Sequence, residues 1–128
     1  MSYYFNKVLA TSFEDAVARV TEKLKDEGFG VLTDIDVTAT LKKKIGAEFR
    51  PYRILGACNP ALAYEALKLE DKVGTMLPCN VIVQELGPGR IEVAAIDPVA
   101  SMTAIANPKL AEKAGIVRDK LAKVIAAL

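Results

Sequence analysis

The chain has 128 residues, 52% hydrophobic and 26% charged, a size and balance that suit one globular domain with its own core and exclude disorder. Lys plus Arg number 17 and Asp plus Glu 16, for a formal net charge of +1, which removes bulk electrostatics as a reason to expect nucleic acid or an anionic membrane as a partner. Histidine is absent, and with it the commonest general acid–base group and the commonest zinc ligand.

The first residues lack a basic region followed by a long apolar run, and no apolar stretch is long enough to cross a bilayer. A cytoplasmic location is expected, where thiols stay reduced. There is no internal repeat and no Pro/Gly/Ser-rich linker, so residues 1–128 are expected to form a single domain.

In chain order, residues 3–9 read as a strand. Thr11 and Glu14 have the spacing of a capping box, opening a helix to about residue 27 with Phe13, Val17, Val20 and Leu24 as its apolar stripe. Gly28 and Gly30 suit its C-terminal end. A short strand over 30–36 leads to a short helix over 37–45, with Val37, Leu41 and Ile45 on one side and Lys42, Lys43 and Lys44 on the exposed side. A strand is predicted over 48–57. Asn59-Pro60 then signals a helix start, with Asn as cap and Pro at the first helical position, and that helix runs to about residue 67. A loop over 70–78 precedes a strand over 79–85, which Gly87-Pro88-Gly89 turns into a hairpin with 90–96. Asp97-Pro98 ends that strand in a turn. Asn107-Pro108 repeats the cap-plus-proline signal. The last helix carries Leu110, Ala114, Val117, Leu121, Val124 and Leu128 at steps of four and three. Consecutive strands joined by a hairpin favour an antiparallel sheet with helices on one face, an α+β arrangement.

The chemistry on offer is sparse. Cys58 closes one predicted strand and Cys79 opens the next; if those strands are antiparallel neighbours, both sulfurs lie at the same end of the sheet. Alternation puts Cys58 with Tyr52, Ile54 and Gly56, and Cys79 with Val81 and Val83. The helix begun by Asn59-Pro60 has free amides next to Cys58, which stabilise anions and can lower a thiol pKa. A reactive thiolate, a sulfur carrier, a redox pair or a soft-metal site would all fit. Buried small apolar side chains, the ordinary place of free cysteine, fit as well. Two cysteines without C-x-x-C or histidine would need carboxylates or water to complete four zinc ligands, so no structural zinc site is expected.

Asn59 and Asn80 each follow a cysteine and could orient a ligand, although Asn59 also serves as a helix cap. Asp34 and Asp36 alternate on one strand and could hold a divalent cation with phosphate. A cap at Asp36 and a solvated charge at Asp34 are the plainer account. Tyr52 could line a pocket or sit in the core, and Met76 could offer a thioether or fill a gap. Lys42, Lys43 and Lys44, with Arg50 and Arg53, could form a basic patch, though a solvated helix face explains them. No motif names a cofactor.

Three segments together, Ile54-Leu55-Gly56-Ala57-Cys58-Asn59-Pro60, Leu77-Pro78-Cys79-Asn80-Val81-Ile82-Val83 and Asp97-Pro98, resemble the signature of the domain of unknown function 302 family, and the resemblance covers essentially the whole chain. It implies a TATA-binding-protein-like α+β fold: a curved five-stranded antiparallel sheet in strand–helix–four strands–helix order, two long helices on one face. It also implies a homodimer. It carries over no catalytic residues and does not imply DNA binding, because fold does not carry function. The readings in play are a small binding or accessory module with a pocket near Cys58 and Cys79, a thiol-dependent protein handling sulfur, redox equivalents or a soft metal, and an enzyme relying on Asp34, Asp36 or Asp97.

Overall fold

Ser12, rather than Thr11, starts the first helix in the computed structural model, which describes residues 2–128. After β1 (Tyr4–Leu9), the Ser12 hydroxyl accepts a hydrogen bond from the Asp15 amide at 3.1 Å and opens α1 (Phe13–Asp26). The expected capping box is therefore shifted by one residue. Thr11 is too far out to reach the N3 amide and instead donates its hydroxyl to the Asp15 carboxylate at 2.5 Å. The helix closes in a Schellman motif: Gly28, at φ +84°, donates to Lys25 O at 3.0 Å, and Phe29 donates to Leu24 O at 2.9 Å. The chain thus reverses into β2 (Gly30–Asp36) with Phe29 packed into the core beside Leu24.

Asp36 caps α2 (Val37–Ile45), its carboxylate accepting from the Ala39 amide at 2.9 Å. The expected apolar stripe of α2 does not bury: no residue of the helix is buried, and Ile45 is 73% exposed. β3 (Tyr52–Cys58) begins four residues later than expected. The Thr38 hydroxyl donates to Arg50 O at 2.6 Å and accepts from Tyr52 N at 3.0 Å, and Pro51 between them has no N–H for a ladder. α3 (Pro60–Leu69) follows, and the expected loop over 70–78 contains a short 3₁₀ helix, Asp71–Met76, entered through the Glu70 side chain. β4 (Cys79–Gly87) and β5 (Arg90–Ile96) form the hairpin, with Gly89 at φ +72°. The turn expected at Asp97-Pro98 extends into a four-residue helix, α4 (Pro98–Ser101), because the Asp97 carboxylate accepts from Val99 N at 2.9 Å. α5 (Pro108–Ala126) starts on Asn107, whose side-chain oxygen accepts from Lys109 N and Leu110 N.

The sheet has the order β1-β5-β4-β3-β2 with every neighbour antiparallel, and it is not closed. The α+β architecture and the five antiparallel strands are as the sequence led one to expect. α1 and α5 pack on one face. Val20 and Leu24 from α1 and Leu121 and Val124 from α5 interleave with Leu55, Val81, Val83 and Val93 from the sheet, all essentially inaccessible. Ala66, Val73 and Leu110 make a second, smaller cluster under Leu77, Met102 and Ile105. On the other face a row of apolar side chains crosses four strands in register, Ile35–Ile54–Ile82–Ala94, and is left partly open, with Ile35 47% exposed. Among the described residues no helix is long and apolar enough to cross a membrane.

Candidate functional site

The two cysteines meet because of the β3–β4 register. Ala57 pairs with Cys79, so Cys58 stands one residue beyond that pair, where β3 hands over to α3. Strict alternation assigns Cys79 to the helix-covered face with Val81 and Val83, and Cys58 to the open face with Ile54 and Gly56. At the end of the strand, however, both border one cavity of about 280 Å³. This cavity lies between the two apolar clusters. Its walls are the ends of β3 and β4, α3 through Leu62, Ala63 and Ala66, and α5 through Leu110, Ala114 and Val117. Pro98 and Met102 contribute from the α4 segment.

The local sequence explains each wall. Asn59 caps α3, its side-chain oxygen accepting from Leu62 N at 3.3 Å, and Pro60 fixes the first turn. The helix must therefore start directly after Cys58. Pro78 seats the entry to β4 against Gly56: a Cβ on Gly56 would stand 2.7 Å from the Pro78 ring and 2.1 Å from the Thr33 hydroxyl. Only glycine admits that approach. Gly28 plays a similar part, since a Cβ there would lie 3.0 Å from the Asn59 side-chain nitrogen.

The thiols differ in environment. Cys79 is 8% exposed; burial, with a smaller contribution from the neighbouring Cys58, pushes its thiol up to about 11. It is a neutral, apolar wall at physiological pH. Cys58 is half-buried and unpaired by any disulfide. Besides the thiols, the polar side chains bordering the cavity are Asn59 and Lys113.

The other sequence candidates lie elsewhere. Asn80 and Tyr52 border a second, more polar hollow of about 390 Å³ on the open sheet face, with Tyr3, Tyr4, Gln84 and Glu92. Asp34 is engaged by the Arg53 guanidinium, which donates from Nε to Oδ1 at 3.0 Å and makes a second contact through Nη2 to Oδ2. Asp36 is spent on the α2 cap. Met76, 37% exposed, ends the 3₁₀ helix and does not border the cavity. Among the described residues no three His, Cys, Asp or Glu side chains gather as a metal site would require. Sequence reasoning passed over Lys113. The signal was present: Lys113 falls between Leu110 and Val117, at steps of three and four, on the apolar stripe of α5.

The profile of the domain of unknown function DUF302 matches residues 5–128. The chain belongs to the DUF302 family. It is similar to an uncharacterized conserved DUF302 protein from Bacillus stearothermophilus known from a crystal structure, with 29% identity, a TM-score of 0.90 and 98% of each chain covered. A search of curated proteins finds no match. Within this DUF302 fold, all three segments that carry the family resemblance reach the cavity: residues 54–60 and 77–83 supply Cys58, Asn59, Pro78 and Cys79, and Asp97-Pro98 supplies Pro98.

Proposed function

We propose that this DUF302 chain is a small-molecule binding module, non-catalytic in itself, whose ligand occupies the cavity beside Cys58 and Cys79. The observation that carries the reading is the lining: apolar side chains from both core clusters, interrupted only by the two thiols, one amide and one ammonium. Concave, mostly apolar sites with a few placed polar groups are the usual form of small-ligand pockets, and about 280 Å³ lies just below their usual range of roughly 300–1,000 Å³. The hydrophobic drive for filling it is an organic group that replaces water against Leu62, Leu110 and Val117.

Ala63 lies on the cavity wall, and Ala63→Phe would place a ring in the space. A ligand that binds only the native state raises stability. Small apolar molecules such as 1-octanol are therefore expected to raise the melting temperature of the wild type and not of the Ala63→Phe variant. Equal shifts in both proteins would remove this cavity as the site.

A second reading rests on Cys58. It is half-buried at the cavity wall, adjoins the N-terminus of α3 and is the more accessible of the two thiols. Thiol-dependent sulfur, redox or soft-metal handling would use this residue, with Cys79 as a neutral neighbour.

We also propose that the protein is a homodimer whose copies meet through the open sheet face. The in-register row Ile35–Ile54–Ile82–Ala94 is the kind of exposed apolar patch that marks an interaction surface, and a net charge of +1 opposes self-association little. Sedimentation at micromolar concentration is expected to give the dimer mass for the wild type and the monomer mass for Ile82→Lys. A monomeric wild type would exclude this interface.

A further inference from the structure

We infer that the ligand of this cavity is an apolar molecule ending in a single carboxylate, with its hydrocarbon between α3 and α5 and its charged end held at the rim by Lys113 and Asn59. The inference rests on the cavity being a binding site, and it specifies the ligand's chemistry.

Among the described residues, Lys113 is the only charged one bordering the cavity. It is half-buried, and among the described residues it takes part in no ion pair and no side-chain hydrogen bond. Lysine on an apolar stripe lays its methylene stem along the wall and carries its ammonium to the water-facing edge. That places a positive charge where a ligand enters. Asn59 adds a second donor. Its oxygen is occupied by the Leu62 amide at 3.3 Å, whereas its NH₂ group, which lies beside Gly28, makes no hydrogen bond among the described residues. The N-terminus of the ten-residue α3 begins at the same point and contributes partial positive charge. Every unmet polar feature is thus a donor or a positive charge, and among the described residues no carboxylate borders the cavity.

Charge count narrows the acceptor. One ammonium balances one carboxylate. A phosphate would bring close to two negative charges into a lining that is otherwise hydrocarbon, and an uncompensated charge against apolar walls is costly. An alcohol would leave the Lys113 charge without a counter-ion. A carboxylate also accepts from both donors at once through its two oxygens.

Calorimetric titration with a matched set, octanoate, 1-octanol, octylamine and octyl phosphate, tests the inference on the wild type and on Lys113→Met. The wild type is expected to bind octanoate about tenfold or more tighter than 1-octanol, the ordinary worth of a charge-assisted hydrogen bond, and octylamine most weakly. Lys113→Met is expected to abolish that preference, so that octanoate no longer binds tighter than 1-octanol, which loss of a merely structural lysine would not do. Equal affinity for octanoate and 1-octanol, with no change in Lys113→Met, overturns the carboxylate assignment and leaves the cavity a neutral apolar site. Tighter binding of octyl phosphate than octanoate overturns it in favour of a phosphorylated ligand. Failure of every compound, 1-octanol included, overturns the binding reading itself.

Discussion

Iodoacetamide is expected to alkylate Cys58 in the native protein while Cys79 reacts at least a hundredfold more slowly than it does in the urea-unfolded chain. The thiolate is the attacking species. With its thiol pushed to about 11 from 9.0, native Cys79 is about one part in a thousand ionised at pH 8, against about a tenth for the unperturbed thiol. Burial at 8% exposure slows access further. Peptide mass analysis of a time course reads both sites. Equal rates at Cys58 and Cys79 would mean that the buried wall of the cavity is open.

The same burial makes stability depend on pH in a fixed direction. The Cys79 thiol titrates at about 11 in the fold, against 9.0 for an unperturbed thiol. The folded state therefore holds the proton more tightly, and the stabilisation is fully present below pH 9. As pH rises from 9 to 11 the unfolded chain loses the proton first, so stability falls. Two units correspond to about 2–3 kcal/mol. In urea titrations under reducing conditions, the wild type is expected to lose that amount relative to Cys79→Ala across the window. A constant difference between the two proteins would contradict the burial of the thiol.

Gly56→Ala is expected to destabilise the protein by about 1–3 kcal/mol, the usual range for overpacking. The added methyl would press on the Pro78 ring at 2.7 Å and on the Thr33 hydroxyl at 2.1 Å. Thr33 is exposed and can give way, whereas Pro78 is held by the chain that enters β4 and borders the cavity. The strain is therefore expected to reach the binding site, lowering affinity for 1-octanol as well as stability. Thr33→Ala in the same background should recover part of the loss, because it removes the closer contact. Gly115→Ala supplies the contrast. A Cβ there meets nothing within 4 Å, and alanine in a helix interior is favoured over glycine by about 1 kcal/mol. A Gly56→Ala variant as stable as the wild type would mean that Pro78 does not sit on the strand as described.

Elements whose signals are local were legible in the sequence. Asn59-Pro60 and Asn107-Pro108 each cap a helix where the residues imply, and the apolar steps from Leu110 to Val124 mark the buried face of α5. Cys58 and Cys79 border one cavity through the β3–β4 pairing, which could be argued from two adjacent strands. Boundaries set by a distant partner were not legible. The start of β3 depends on Thr38 reaching across to Arg50 and Tyr52; the one-residue shift of the α1 cap is instead a local ambiguity between two adjacent hydroxyls, of which Ser12 takes the Asp15 amide. The cavity itself is a tertiary product: Leu62 and Lys113 border the same space from helices far apart in the chain. For the same reason Asn80, though adjacent to Cys79, faces a different hollow, since neighbouring residues on a strand point to opposite sides.

Binding at the Cys58–Cys79 cavity is tested most directly by amide NMR during a titration with 1-octanol. Saturable shifts are expected in residues 57–67, 77–79 and 110–117, the segments that wall the space. Shifts that never saturate, or that fall instead on Tyr52, Ile82 and Ala94 across the open sheet face, would contradict it.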